Sequence, residues 1–487
     1  MKPQAMSASQ PPAFEGLRGW LDLMRNAGQL RGIEGAHWNL EIGEVSEVNL
    51  QRGSRKALLF TEIPDYPPQY GVLTGSVATA TRLGATLRFG LSETDHSLMA
   101  KLRSMPKRWE KEAERFQPRV VPSGPVSSNT VDQTALNLLD FPAPLWHARD
   151  GGRYIGTGCV VVTSDPDSGA INAGAYRVQV QRDGTSATVS IVPGKHGAIN
   201  VERWFAREGR APVVVSLGHD PLLLVVAGTE VPYGVSELAY AGAIRRKAVD
   251  VILADNGLPI PAESELAVEG WFYPGDASVE GPFGEWTGYY SRSMEEGYNL
   301  HMDRLYYRDD PVILGAPPGR PPHDYSYMRS VMKSAMLLDA LEAAGVPGMR
   351  DVWAHECGGG RLLVAVSIDH AYAGHARQVG HLAAHLPAAV YMNRYTIVVD
   401  ADVDVRSLDD VMWAVCTRSD PAVDIDVLSR TWGSSADPLL PPGAVPYMAR
   451  AVIDACVPFE ARATFPDVVK TEQSRLSEVY DQWLGDS

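Results

Sequence analysis

Glu280-Gly281-Pro282-Phe283-Gly284-Glu285-Trp286-Thr287-Gly288-Tyr289-Tyr290 is the most informative stretch of the chain. Two carboxylates bracket a loop of Gly, Pro, Phe and Gly. Gly281, Pro282 and Gly284 impose a fixed non-helical path, so both acids can converge on one small volume. Like charges held close separate their titrations and leave one group protonated near neutral pH, which suits a general acid. A bare pair of glutamates at this spacing is more commonly a solvated turn. The reading therefore rests on what the rest of the chain sets beside it.

Upstream, Asn172-Ala173-Gly174-Ala175-Tyr176-Arg177 reads as the inside of a strand. Asn172 offers a hard carbonyl oxygen and Arg177 a planar fork for a carboxylate. Pro193-Gly194-Lys195-His196-Gly197 falls where a strand gives way to a helix, and Ser236-Glu237-Leu238-Ala239 opens another helix. Asn172, His196 and Glu237 together form a hard-to-borderline donor set for Mg2+ or Mn2+ beside a phosphate. Each also has an ordinary role: His196 as a helix cap, Glu237 as a first-turn acid, Asn172 in a turn.

Around these segments, residues 150–320 are rich in Val, Ile and Tyr in short runs. Tyr154 to Val162, Ala175 to Val180, Thr188 to Val192, Val213 to Leu217, Leu222 to Val226, Val249 to Leu253 and Leu266 to Tyr273 all read as strands. Many short strands predict a barrel or sandwich, interrupted by helices near Asn200 to Arg207 and Ser236 to Arg246. Before this region, Leu17, Trp20, Leu21 and Met24 predict a helix, Ala57 to Phe60 a strand, and Glu93 to Phe116 a polar helix. Gln117 to Pro125 reads as a linker. After it comes a helix from Ser326. Strands Leu362 to Ile368 and Tyr395 to Val399 then alternate with helices Ala373 to Leu386 and Leu408 to Cys416, predicting a parallel α/β domain. Leu476, Val479, Tyr480 and Trp483 give Thr471 to Leu484 an apolar stripe suited to docking on another subunit. The expected division is 1–120, 121–325 and 326–487, an α+β / α/β multidomain chain.

The 487 residues are 45% apolar and carry a formal charge of −15. That balance argues against nucleic acid and against an anionic membrane surface as partners. Met1 to Gly16 lacks the apolar core of a signal peptide, and no run of about 18 apolar residues occurs, so a cytoplasmic location is expected. Cys159, Cys357, Cys416 and Cys456 are scattered without a CxxC pair and are expected to be buried free thiols. His355-Glu356 lacks the second His of a zincin helix, Gly194-Lys195 lacks the Ser or Thr of a P-loop, and neither GxGxxG nor GxSxG occurs in a fitting context.

Taken in order, these segments resemble the UbiD family of prenylated-flavin-dependent (de)carboxylases, over nearly the whole chain. Leu17-Arg18-Gly19-Trp20-Leu21, Val72-Leu73-Thr74-Gly75, Asn172 to Arg177 and Ser236 to Ala239 with Ala241-Gly242 fit. So do Pro261-Ala262-Glu263, Gly319-Arg320-Pro321-Pro322, Tyr372 to Ala376 and Val398 to Asp402; EGPFGE followed by TGYY is the most specific element. The resemblance implies an N-terminal α/β unit, a central split β-barrel of flavin-reductase-like type and a C-terminal α/β domain with a long tail helix, assembled as dimers or hexamers. It implies a catalytic network of Arg177, Glu280 and Glu285. It implies Asn172, His196 and Glu237 as ligands of Mn2+ (or Mg2+) clamping the cofactor phosphate, with K+ nearby, and a cofactor surface of Asn172, Ala173, Gly174, Ala175, Tyr176, Arg177 and Lys195. Arg394 stands where the family has a phosphate-binding Lys, and Lys195 where some members have Arg.

Losing CO2 from an sp2 carbon leaves a localised carbanion. General acid catalysis contributes about 10² to 10⁴-fold, too little for this step, so an electron sink is needed. The resemblance implies that the sink is prenylated FMN, made by a flavin prenyltransferase, and that Glu285 protonates while Glu280 tunes it and Arg177 orients the substrate. The implied substrate is an aromatic, heteroaromatic or α,β-unsaturated acid. An Asp at the Glu285 position is common in members acting on ubiquinone precursors, which turns the reading toward other aromatic acids. Two alternatives are a plain FMN-dependent reductase, which would need an NAD(P)H site that the sequence does not display, and an inactive scaffold or accessory subunit, which loss of Arg177, Glu280 or Glu285 would favour.

Overall fold

The computed structural model describes residues 14–229, 231–291, 295–441, 443–469, 471 and 473–485. Most of the N-terminal stretch read for a signal peptide, residues 1–13, lies outside the described residues. Helix Gly16–Asn26 buries Leu17, Trp20, Leu21 and Met24, as their spacing predicts. Beside it lies a four-stranded sheet in the order Leu30–Glu34, Ala57–Thr61, Gly71–Thr74, Val312–Leu314, whose last strand returns from far along the chain. The polar stretch expected as one helix breaks into Asp95–Leu102 and Met105–Glu112. Ser104 takes φ 62 and Pro106 follows at the next helix start, so the first helix cannot continue. The expected linker is also partly ordered, since Arg119–Val120 pairs in parallel with Asp250–Leu253.

The central sheet has ten strands, and its main path runs Arg153–Gly156, Arg177–Val180, Ala187–Ser190, Glu295–Tyr307, Leu266–Phe272, Ala211–Leu217, Val160–Ser164, Ile171–Gly174. Ile171–Gly174 ends that path and Arg177–Val180 is second along it, yet only Ala175 and Tyr176 join them in sequence. So short a link requires the sheet to curl round until these strands nearly meet. The result is a half-barrel with a seam, in keeping with the expected split barrel. Two sequence readings change here. Asn172 to Arg177 is not one strand but the crossing of the seam, and Tyr154 to Val162 divides at Thr157-Gly158, where a Cβ on Gly158 would lie 2.7 Å from the Leu314 carbonyl oxygen.

Leu222 to Val226, read as a strand, is the helix Pro221–Ala227. Asp220 Oδ1 accepts from the Leu222 N–H at 3.0 Å and Pro221 takes the first turn, a start signal that outweighs five apolar residues in a row. The C-terminal sheet runs Met349–Ala354, Leu363–Ile368, Tyr395–Asp400, Tyr447–Ala455, Ile425–Trp432. Its three middle strands are parallel, but both edge strands are antiparallel, so the sheet is mixed rather than parallel throughout. Helix Ser326–Ala343 packs on this sheet, and helix Gln473–Trp483 ends the chain with Leu476, Tyr480 and Trp483 exposed.

Only Cys159 and Cys456 are buried; Cys357 and Cys416 are exposed. Cys416 lies on the helix Leu408–Arg418, whose buried residues are Val411, Ala414 and Arg418, and Cys357 sits in a short turn after His355. Among the described residues no helix is long and apolar enough to cross a membrane.

Candidate active site

The loop Glu280 to Tyr290 folds back as a tight hairpin. Glu285 N–H donates to the Tyr289 carbonyl at 2.8 Å, and the Gly288 N–H returns to the Glu285 carbonyl at 2.9 Å. Gly281 takes φ 88, a conformation costly for any residue with a Cβ. Opposite it, a Cβ on Gly151 would lie 1.8 Å from the Gly281 carbonyl oxygen. Asp150 fixes this approach by accepting from the Gly284 N–H at 3.0 Å, while the Gly151 N–H donates to the Pro282 carbonyl at 2.7 Å.

Both glutamates end on one arginine. Arg177 Nε and Nη2 donate to Glu280 Oε1 and Oε2 at 2.7 and 2.8 Å, and Nη1 is ion-paired to Glu285 Oε1. Bidentate charge-assisted pairs of this kind combine strength with fixed geometry. The side chain of Glu280 is 1% exposed and that of Glu285 14%, so Glu285 is the acid nearer the open side. Burial opposes the Arg177 charge, but the Glu285 and Glu280 carboxylates outweigh it and hold its pKa above the ordinary value. Tyr154 donates its O–H to Glu280 Oε1 at 2.6 Å, and burial followed by the Glu280 charge raises that phenol well above its usual range. Phe283 lies under the Arg177 guanidinium at 5.1 Å and against the Tyr154 ring at 4.2 Å.

Across the seam, Glu237 Oε1 accepts from Asn172 Nδ2 and Oε2 from the Ala173 N–H, both at 2.8 Å. Burial dominates and pushes the Glu237 carboxyl up to about 7, against those hydrogen bonds. Asn172 Oδ1 is buried with no hydrogen-bond partner, as is Ser236 Oγ at the head of the same helix as Glu237. Helices His196–Glu208 and Glu237–Arg245 both pack on the Ile171–Gly174 strand. Asn172 and Glu237 are thus brought into contact, and His196 heads a helix on the same strand with its ring edge-on to Tyr233 at 5.1 Å. Tyr176 links the two sides, since its hydroxyl accepts from the Gly197 N–H at 3.3 Å.

Beyond Glu285 the loop reaches the C-terminal domain. Trp286 packs with Met392 and Met448 there, and Lys195 Nζ lies 5.0 Å from the centre of the Tyr391 ring. Arg394 is ion-paired to Asp437, which already engages the guanidinium expected to meet a phosphate.

Three family models match in chain order: the N-terminal domain of 3-octaprenyl-4-hydroxybenzoate carboxy-lyase over residues 21–102, its Rift-related domain over 119–321 and its C-terminal domain over 326–455. A pyrrole-2-carboxylic acid decarboxylase of Pseudomonas aeruginosa is 31% identical over 423 residues, 84% of either chain. The chain belongs to the UbiD family. It is accordingly a carboxy-lyase. The closed form of the vanillic acid decarboxylase of Sedimentibacter hydroxybenzoicus shares the UbiD fold at TM-score 0.81 and 26% identity, covering 97% of this chain and 100% of that one. The UbiD-class enzyme HmfF of Pelotomaculum thermopropionicum, in complex with FMN, gives TM-score 0.82 at 23% identity over 95% and 99% of the two chains, a likeness of fold.

Within this UbiD site, sequence reading missed Tyr154, Gln179 and Asp150. Gln179 Oε1 accepts from the Gly281 N–H at 3.1 Å and from the Tyr154 hydroxyl at 3.2 Å, joining strand, loop and acid. Each is an ordinary residue for its strand or turn, and nothing local sets it apart; only the distance to Glu280 or to its loop does.

Proposed function

We propose that this chain removes CO2 reversibly from an aromatic, heteroaromatic or α,β-unsaturated carboxylic acid, using prenylated FMN held at the barrel seam through Mn2+ (or Mg2+), with K+ nearby. The observation that carries this reading is the junction of Arg177 with both Glu280 and Glu285, one short seam crossing from the Asn172–Glu237 pair. The donor set fits a hard divalent cation. Asn172 Oδ1 is buried and unpartnered, the Glu237 carboxyl lies beside it, and an ion there would satisfy the first and keep the second ionised. Asn172, His196 and Glu237 would hold the metal; Ala173, Gly174, Ala175, Tyr176, Arg177 and Lys195 would line the cofactor. Two helix N-termini favour a phosphate at this point. Arg394 joins in only by sharing its guanidinium with Asp437.

When bound, prenylated FMN supplies the electron sink that decarboxylation at an sp2 carbon requires. The chain's own groups do the rest. Arg177, held in place by both glutamates, sets its positive charge beside the substrate carboxylate. Glu285, the more exposed acid, carries a proton to the carbon that has lost CO2. Glu280, fixed by Tyr154 and Arg177, holds that guanidinium in place. Trp286 and Tyr391 pack with Met392 and Met448 next to Glu285, an apolar cluster that supports exclusion of water from the reacting carbon. Substrates named for the relatives, a pyrrole carboxylate and vanillate, support the aromatic class. The exposed face of helix Gln473–Trp483 supports a homo-oligomer, dimer or hexamer.

Co-expression with a flavin prenyltransferase and anaerobic purification test the proposal through the mass of the released cofactor, its Mn2+ content and CO2 release from a panel of aromatic acids. Prenylated FMN with bound Mn2+ and CO2 release from at least one acid is expected. Unmodified FMN alone would favour a reductase, and no flavin at all an inactive scaffold.

A further inference from the structure

The C-terminal sheet gathers three side chains that the proposed reaction does not use. Strands Leu363–Ile368, Tyr395–Asp400 and Tyr447–Ala455 run side by side in parallel, with Ile368 in register with Asp400 and Val399 with Ala455. Their carboxyl ends deliver His370, Asp400 and Cys456 to one place. A ring nitrogen of His370, a carboxylate oxygen of Asp400 and Cys456 Sγ all lie within 4.8 Å of one another. The carboxyl edge of parallel strands is where open α/β sheets gather their ligands.

His370 is only 6% exposed, and neither of its ring nitrogens has a hydrogen-bond partner. Burying such nitrogens unsatisfied is costly, and coordination of a metal relieves one of them. Several neighbouring groups are already committed, although His375 Nε2 is buried without a hydrogen-bond partner. His375 Nδ1, on a ring 6.1 Å from that of His370, accepts from the Ala371 N–H at 3.2 Å. Asp400 Oδ2 accepts from the Val457 N–H at 2.6 Å and from Arg418 Nη1 at 3.2 Å, and Arg462 Nη2 is 3.5 Å from Oδ1. Arg418 is also paired with Asp402 at 2.7 Å, and Asp454 Oδ1 accepts from the Cys456 N–H at 3.0 Å. Arg418 pairs with Asp400 and Asp402, Arg462 stands beside Asp400, and Asp454 adds a third carboxylate at the same edge, so the local field tolerates a cation.

We propose that His370, Asp400 and Cys456 form a zinc site at the carboxyl edge of the C-terminal sheet, distinct from the metal of the flavin site. Nitrogen, oxygen and sulfur together select Zn2+, whereas the oxygen- and nitrogen-only set around Asn172 suits Mn2+ or Mg2+. Bonds of about 2.0–2.3 Å put tetrahedral ligands about 3–4 Å apart, so the three groups need to close by about an ångström. Binding turns the Cys456 thiol into a thiolate and releases its proton to solvent. Zn2+ with one thiolate, one carboxylate and a neutral imidazole is uncharged, and a fourth position stays open to water. The ion would tie three strand ends to the segment from Val457 to Arg462, where Phe459 lies 5.3 Å from the His370 ring.

The test is a Co2+ titration of the full-length, metal-stripped protein, followed in the difference spectrum by the sulfur-to-cobalt charge-transfer band in the near ultraviolet. Asn172, His196 and Glu237 contain no sulfur and cannot produce it. One equivalent of Co2+ is expected to develop the band and one of Zn2+ to bleach it. Cys456→Ser should abolish it, His370→Ala should weaken Co2+ binding at least about tenfold, and Glu237→Gln should leave it in place. Absence of the band in the wild-type chain, which no folding defect can explain, overturns the proposal. So does a band of unchanged intensity in Cys456→Ser, since Cys357 or Cys416 would then be its source.

Discussion

The two strands that meet at the barrel seam are joined by two residues, yet they treat their polar groups in opposite ways. On Arg177–Val180, the guanidinium of Arg177 closes on two carboxylates and Glu280 takes a further bond from Tyr154. Those charges are buried already paired. On Ile171–Gly174, Asn172 bonds Glu237 through Nδ2 but keeps Oδ1 buried without a partner, and burial pushes the Glu237 carboxyl up to about 7. One half folds with its charges paired, and the other is the half that the proposed cation would complete. Under the proposed function, the contrast separates groups that would handle the proton from groups that would hold a cofactor.

The largest effect expected from this contrast is on stability. Arg177→Leu leaves Glu280 buried without its cation and should cost about 3–5 kcal/mol in urea unfolding. Asn172→Ala in metal-free protein removes one neutral donor and should cost about 1 kcal/mol. Equal costs would break the distinction between the halves. Next is a pH effect confined to the metal half. The folded-state pKa of Glu237, about 7, lies above its ordinary 4.5, so between those values the folded protein holds a proton that the unfolded chain has lost. Stability of the metal-free protein should therefore fall as pH rises from about 4.5 to 7, by roughly 3 kcal/mol from this residue. Glu237→Gln should flatten that slope, and Mn2+ should stabilise the wild-type chain more at pH 8 than at pH 5. A slope identical in Glu237→Gln would assign it to other groups. The smallest effect sharpens the assignment of the orphaned oxygen: Asn172→Ala should weaken Mn2+ binding about 10–100-fold by calorimetry, and unchanged affinity would remove Asn172 from the ligand set.

Much of the site was legible because its residues carry local constraints. Gly281, Pro282 and Gly284 give the loop one path, and the types of Arg177, Asn172 and Glu237 declare what they can bind. What escaped depends on closure of the sheet. Ala175 and Tyr176 show no turn signal, and the break they make follows from the curling that brings the strands at either side of the seam together. Leu222 to Val226 looked like a strand because five apolar residues fit either element; Asp220-Pro221 held the deciding signal. Tyr154 reads like any strand tyrosine until Glu280 arrives from far along the chain. His370, Asp400 and Cys456 are equally silent in sequence, since only parallel register joins them.

Proton delivery by Glu285 is tested most directly in cofactor-loaded Glu285→Gln enzyme, by following hydrogen–deuterium exchange in the decarboxylated product in D2O. If Glu285 carries the proton, flavin occupancy will match wild type while exchange and turnover fall by at least about 10²-fold. Exchange at the wild-type rate with full flavin occupancy would contradict it and leave the proton to another group at the seam.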